Sequence, residues 1–301
     1  PVEWWLPYTD PSFKCSAYDN MHASWSSTHE ETWDVVKHND FVGGQFIWTG
    51  FDYIGEPTPY AYPARSSYFG IIDLAGFPKD SYYMYQSEWT NKNILHLFPH
   101  WNWIPGQTID MWCYYNHADE VELFVNGKSQ GIRKKLVYKD ANEGEEYKKS
   151  TEYHVMWRVK FEPGEVKVIA RKDGKKVGEQ IIKTAGTPDH IVLKKSYQST
   201  EDLDGVPTTY VEVDVVDKHG NLCPNAENQI FFSLSKEEGL KCPVGETKPM
   251  IIGVDNGCQT SLERFKADNR KAFFGKCLVV LKGKGVLTAK GVDLKEAKLL
   301  F

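Results

Sequence analysis

The chain has 301 residues, a mass of 34.5 kDa, 41% hydrophobic and 26% charged residues. That composition is typical of ordinary globular domains and excludes collagen-like, coiled-coil and disordered chains. No apolar stretch approaches the roughly eighteen residues of a membrane span, and a net charge of −5 leaves no basic footprint for nucleic acid.

From the N-terminus, the chain opens on Pro1, with no Met and no basic-apolar leader, which reads as a processed or internal start. Residues 1–90 hold 6 Trp, 9 Tyr and 6 Phe and carry 4 Lys+Arg against 12 Asp+Glu, whereas residues 91–301 carry 32 against 29. Two regions so different predict separate domains. An acidic segment rich in Trp and Tyr suits sugar binding, because aromatic faces stack on pyranose C–H faces and carboxylates accept from hydroxyls. It suits an aromatic-rich core equally well.

Ser27-x-x-Glu30 has the form of a capping box, and Trp33, Val35 and Val36 predict a short helix over roughly 28–38. The run Phe41-Val42-Gly43-Gly44-Gln45-Phe46-Ile47-Trp48-Thr49-Gly50 is too continuously apolar for a half-exposed strand. It predicts a parallel strand buried on both faces. Glu56-Pro57-Thr58-Pro59-Tyr60-Ala61-Tyr62-Pro63 must be a rigid loop, because three prolines remove three backbone donors. A second helix is expected around Ser81–Trp89.

From Ile94 onward the pattern becomes short strands and turns. Strands are expected at 108–115, 120–125, 157–161 and 165–171, and a last one ends near Lys183. Asn126-Gly127 is the strongest short hairpin signal, and Lys172-Asp173-Gly174 makes another turn. After the linker Thr184–Pro188, strands are expected at 191–193, 210–216, 230–234, 273–281 and 285–290, with Asp217–Asn221 as a turn. The expected organisation is a mainly β chain divided at 1–92, 93–186 and 187–301, the last two parts being tandem β-sandwiches of immunoglobulin-like size. Trp101, Trp103 and Trp112 read either as a sugar platform or as packing, in the core of the first sandwich or at its contact with the barrel part. The six cysteines lack C-x-x-C spacing, so no structural zinc is expected; dispersed free thiols are expected, with a disulfide among the four in the last third as the alternative. The histidines His22, His29 and His38 share no helical face, so no metal and no cofactor are expected.

Sites in α/β folds form at the carboxyl ends of parallel strands. That makes Trp48, Asp52, Tyr53 and Glu56 site candidates, with core closure by Trp48 and simple solvation of Glu56 as the structural alternatives.

The segment Gly44–Tyr60, containing Gln45-Phe46-Ile47-Trp48-Thr49-Gly50-Phe51-Asp52-Tyr53, resembles the last barrel strand and following loop of glycoside hydrolase family 2. Within that family it is most similar to multi-domain β-galactosidases of Bacteroides-type bacteria. Arg65–Asp80 resembles the family's next segment, Asn126-Gly127-Lys128-Ser129 its first sandwich hairpin, and Val254-Asp255-Asn256-Gly257 with Arg270-Lys271-Ala272-Phe273 its C-terminal sandwich. The resemblance implies a C-terminal remnant of a (β/α)8 TIM barrel followed by two immunoglobulin-like sandwiches. It also implies a retaining glycosidase with two catalytic glutamates about 5–5.5 Å apart.

The family's acid/base follows an Asn, and the only Asn-Glu pair here, Asn142-Glu143, lies in a charged turn of the first sandwich. The family's nucleophile sits in a Ser-Glu-Thr-type motif before the segment resembling Ser16-Ala17-Tyr18-Asp19. Glu31-Thr32 matches it only superficially, inside the predicted helix. A complete barrel takes about 250 residues, so both catalytic glutamates are expected upstream of Pro1 and the chain alone is expected to be inactive.

By resemblance Trp48 forms an apolar wall against the galactosyl ring. Asp52 and Glu56, with Tyr18, Asp19 and Trp25, contact sugar hydroxyls or support the loop. Implied partners are a β-linked oligosaccharide and, through exposed apolar surface, further copies in a homo-oligomer; the implied location is the periplasm or cell surface. The competing reading is a non-enzymatic carbohydrate-binding or adhesive tandem module. A third has the chain active alone through Asp52, Glu56 or Glu88, which a partial barrel is poorly suited to hold at fixed separation.

Overall fold

The computed structural model describes residues 11–137, 150–199, 205–235 and 248–301. Pro1, Asn142-Glu143 and Cys242 lie outside the described residues. Among those described, the fold is mainly β, with two helices and fifteen strands. One compact unit comprises residues up to Ala61, Ser66–Asp73 and Pro78–Thr184. The other comprises Tyr62–Arg65, Leu74–Phe77 and Ala185–Phe301.

In the first unit, helix α1 spans His29–Lys37 and helix α2 spans Asp80–Trp89. The cap of α1 differs by one residue from the expected one. Thr28, not Ser27, is the N-cap: its hydroxyl accepts from the Glu31 N–H at 3.2 Å, and its own N–H donates to Glu31 Oε2 at 2.9 Å. The sequence offers two overlapping boxes, and the one chosen frees Glu30 to accept from Thr151 Oγ1 and pair with His154 Nδ1. No residue of α1 is fully buried; besides these polar contacts, half-buried Trp33 packs on the Tyr18–Tyr85 cluster and meets Trp89 edge-on at 5.4 Å.

The expected strand over 41–50 does not form. Phe46 is fully exposed and Phe41 and Trp48 largely so. Parallel pairing begins only at the end of this run, where Thr49 N–H donates to Phe69 O, Ile71 N–H to Thr49 O and Ile72 N–H to Gly50 O, and continues with Asp52 N–H to Ile72 O. A strand buried on both faces needs a neighbour on each side, and among the described residues only 69–72 pairs with it.

Strands β1 (Leu95–Phe98), β2 (Thr108–Tyr115) and β5 (His154–Lys160) form one antiparallel sheet. Strands β3 (Glu120–Val125), β4 (Lys128–Arg133), β6 (Glu165–Lys172) and β7 (Lys175–Lys183) form a second, in the order β4-β3-β6-β7. Alternation is clean: Val121, Leu123 and Val125 point inward against Val166, Val168 and Ala170, and against Ile109, Met111 and Trp157 of the facing sheet. The β3–β4 hairpin turns on Asn126 and Gly127, both at positive φ, and the β6–β7 hairpin on Asp173 and Gly174, also both positive. Such type I′ turns match strand twist. The other face of β2 carries Tyr114, which joins Tyr18, Met84, Tyr85, Phe98 and Ile71 in a second cluster.

In the second unit, β8 (His190–Gln198), β9 (Thr208–Val216), β10 (Gln229–Ser235), β11 (Met250–Asp255), β12 (Asn269–Lys271), β13 (Lys276–Lys282), β14 (Val286–Gly291) and β15 (Leu294–Leu300) follow one continuous order, β11-β13-β9-β8-β15-β14-β10-β12. Its two halves are joined where β8 meets β15 in parallel at His190 and Lys295, so the expected pair of separate sheets is one hydrogen-bonded sheet. Both halves line a single core of Val211, Val213, Val279, Leu281, Ile230 and Leu287.

Candidate functional site

Trp48 and the loop after it form the open aromatic surface of the first unit. Trp48 is 74% exposed. Its Nε1–H donates to the Tyr53 hydroxyl at 3.3 Å, and the two rings meet edge-on at 6.4 Å. The Tyr53 hydroxyl in turn donates to Glu56 Oε2 at 2.5 Å, a bond that raises the tyrosine's pKa. Tyr53 is pinned from behind, because its N–H donates to Ser67 Oγ and its carbonyl accepts from the Ser67 N–H. Trp48, Tyr53 and Glu56 are therefore one assembly. The Trp48–Thr49 peptide is cis.

Asp52, between them in sequence, points the other way. It is buried, accepts from the Gly70 N–H at 2.8 Å and lies 2.9 Å from Lys79 Nζ. Burial pushes its carboxyl up, while the Lys79 ammonium and the Gly70 N–H pull it back. Of its two expected roles, support of the loop is the one its contacts serve. Gly70 and Lys79 are the partners that sequence reasoning missed. Gly70 is glycine because a Cβ there would stand 2.1 Å from Asp52 N and 2.3 Å from Phe51 C.

Tyr18 is buried against Phe98 and Trp112, and its hydroxyl donates to the Asp110 carbonyl. Asp19 accepts from the His29 and Glu30 N–H groups at the start of α1, at 2.8 and 2.6 Å. Burial and the nearby Glu30 carboxylate push its pKa up to about 7 against those two bonds. Trp25 is exposed. Glu88 bonds Lys37 Nζ and Trp33 Nε1 and lies 3.5 Å from Lys135 Nζ. Asp52, Glu56 and Glu88 are thus each engaged with different partners.

Trp101 is fully buried beside Phe161, with its Nε1–H donating to Glu162 O. Trp103 stacks on His100, and Trp112 stacks on His154 at 3.6 Å. Trp101 takes the core reading, whereas Trp103 packs half-buried against the sandwich core and Trp112 half-buried against the cluster of Tyr18, Tyr85 and Phe98. The five described cysteines, Cys15, Cys113, Cys223, Cys258 and Cys277, are free thiols. Asp34, His38 and Glu152 bring three ligand atoms within 4.8 Å of one another, a grouping hidden in the sequence by the distance from His38 to Glu152. Tyr153 donates to Asp34, and Lys37 lies 2.6 Å from Glu152, so this cluster already holds a cation of its own. Among the described residues no helix is long and apolar enough to cross a membrane.

Residues 106–178 match a domain of unknown function family, DUF4982, and residues 191–299 match glycoside hydrolase family 2 C-terminal domain 5. The chain is 54% identical to the β-galactosidase BoGH2A of Bacteroides ovatus, over 99% of this chain and 33% of that protein. It superposes on a β-glycosidase from Bacteroides vulgatus with a TM-score of 0.79 and 32% identity, covering 98% of this chain and 35% of the other. A glycosyl hydrolase family 2 member from Bacteroides cellulosilyticus matches with a TM-score of 0.71 and 25% identity, over 89% and 37%. The chain spans about a third of the length of these relatives. Its sequence and its β units place it in glycoside hydrolase family 2, to whose proteins it corresponds over their C-terminal part.

Proposed function

We propose that this chain is the C-terminal region of a retaining family 2 hydrolase that cleaves terminal β-galactosides, and that Trp48 forms an aromatic wall of its sugar site. The observation that carries this reading is the open indole of Trp48, braced by Tyr53 and Glu56 at the head of a loop anchored through buried Asp52. An exposed aromatic face fixed at one angle is what a pyranose C–H face requires. Identity of 54% to a β-galactosidase along nearly the whole chain supports the galactoside assignment.

On this reading residues 1–92 are the last part of a TIM barrel, and the exposed Phe41, Phe46 and Phe51 belong to its interior. Residues 93–186 and 187–301 are immunoglobulin-like domains, and the protein works in the periplasm or at the cell surface. The catalytic carboxylate pair of a retaining glycosidase stands about 5–5.5 Å apart. Glu56 and Asp52, the carboxylates of the Trp48 loop, are committed to Tyr53 and to Lys79, so the chain by itself would not turn over substrate.

The test is hydrolysis of chromogenic β-galactoside, β-glucuronide and β-mannoside by the full-length protein carrying this chain and by the 301 residues alone. Turnover of the galactoside by the full-length protein, lost on W48A and absent from the 301-residue chain, is the expected result. Turnover by the chain alone would overturn it. Sugar binding without turnover in either form would favour the non-enzymatic carbohydrate-binding module.

A further inference from the structure

Glu56 is an exposed carboxylate whose one described hydrogen bond goes to a neighbouring hydroxyl. A tyrosine hydroxyl has a single proton to give. The proton of Tyr53 goes to Glu56 Oε2 at 2.5 Å, which leaves the oxygen lone pairs facing the Trp48 N–H at 3.3 Å. A carboxylate drawing on that proton makes the phenolic oxygen a better acceptor, so the two bonds strengthen each other. The base of this chain of bonds is rigid: the Tyr53 N–H donates to the Ser67 hydroxyl, the Tyr53 carbonyl accepts from the Ser67 N–H, and Tyr53 follows buried Asp52 with its Lys79 and Gly70 contacts.

We propose that Tyr53 and Glu56 form a positioning relay that holds the Trp48 indole at its sugar-stacking angle before substrate arrives, with Glu56 acting through Tyr53 and without touching the sugar. This rests on the reading of Trp48 as the wall of a sugar site. An exposed indole has two free torsions, and ordering it at the moment of binding costs affinity. A prearranged indole avoids that cost. Loss of the relay therefore appears in KM more than in kcat, as a roughly three- to tenfold change. Tyr53→Phe removes both bonds, Glu56→Ala removes the acceptor, and Glu56→Gln keeps an amide oxygen to accept from Tyr53.

The test combines two readouts. The first is the fluorine NMR spectrum of the 301-residue chain labelled with 5-fluorotryptophan, with the Trp48 line identified by its disappearance in W48F. Y53F and E56A are expected to shift or broaden that line while the other tryptophan lines keep their positions, and E56Q to leave it near its original place. Glu56 is exposed, so its variants keep the fold and the comparison stays valid. A Trp48 line unmoved in both Y53F and E56A overturns the relay. The second readout is β-galactoside kinetics of the same variants in the full-length hydrolase, where KM should rise for Y53F and E56A and recover in E56Q. A displaced Trp48 line with unchanged kinetics would leave the relay standing and overturn the assignment of Trp48 to the sugar site.

Discussion

Asp52 and Lys79 meet at 2.9 Å, with the Asp52 side chain 2% exposed and the Lys79 side chain 32% exposed. The same ammonium reaches the Tyr68 carbonyl at 2.9 Å, and the same carboxylate accepts from Gly70. One ion pair thus ties residues 52, 68, 70 and 79 together behind the Trp48 loop. Removing one partner of such a pair leaves the other half-buried charge uncompensated. Asp52→Ala is expected to cost about 2–4 kcal/mol in urea unfolding. Asp52→Asn, which keeps an acceptor for Gly70, should cost less. A D52A variant as stable as the wild type would show that the pair holds nothing.

Gly70 tests the same junction from the backbone side. A methyl group there would overlap three backbone atoms of residues 51, 52 and 72, none of which can move away alone. Gly70→Ala is expected to lose about 3 kcal/mol or more, as overpacking at a rigid site does. It should also loosen the parallel pairing of 49–52 with 69–72, read as faster amide exchange at Asp52 and Ile72. Amide protection equal to that of the wild type would count against this account.

Trp101 separates core from sugar platform. Its indole is fully buried, edge-on to Phe161 at 5.0 Å. Trp101→Ala should cost about 3–5 kcal/mol, as large aromatic deletions from cores do. Trp48→Ala, at an exposed position, should change stability by about 0.5 kcal/mol or less. Comparable melting temperatures for the two variants would contradict the assignment of these indoles.

Acid should weaken the second unit through Asp217. Burial raises this carboxyl, but bonds from the Asn221 side chain and from the N–H groups of Gly186, Asn221 and His219 outweigh it and hold the pKa well below the ordinary carboxylate range. A folded-state pKa below the unfolded one gives stability that is fully present above the ordinary range and is lost progressively as pH falls from there toward the lower folded pKa. The denaturation midpoint of the wild type should therefore begin to drop below about pH 5 and go on dropping below about pH 3. Asp217→Asn should be less stable at pH 7 and decline less steeply on acidification. Equal pH slopes for the two proteins would rule out this source.

Much of the β architecture was legible because its signals are local. Asn126-Gly127 and Asp173-Gly174 each place two adjacent residues at positive φ, which few other pairs tolerate, and the period-2 runs at 120–125 and 210–216 become strands with the expected inward faces. The strand at 294–300 carries no local signal, because Leu294-Lys295-Glu296-Ala297-Lys298-Leu299-Leu300 is as charged as a helix face and gains its strand geometry from pairing with β14. The run 41–50 misled in the opposite sense: its apolar residues describe a strand with neighbours on both sides, and the described chain supplies pairing on one.

What the sequence by itself determined is the set of elements whose conformation is decided within a few residues: the turns, the alternating strands, the two short helices and the prolines that hold residues 57–63 out of any sheet. It also marked Trp48, Tyr53 and Glu56, which lie within nine residues of one another and need only one loop to meet. Only the tertiary structure decided the partners of the buried charges. Lys79 reaches Asp52 across 27 positions and His154 reaches Glu30 across 124. A carboxylate carries no local sign of which cation will face it, because burial and pairing are settled by how distant segments come together.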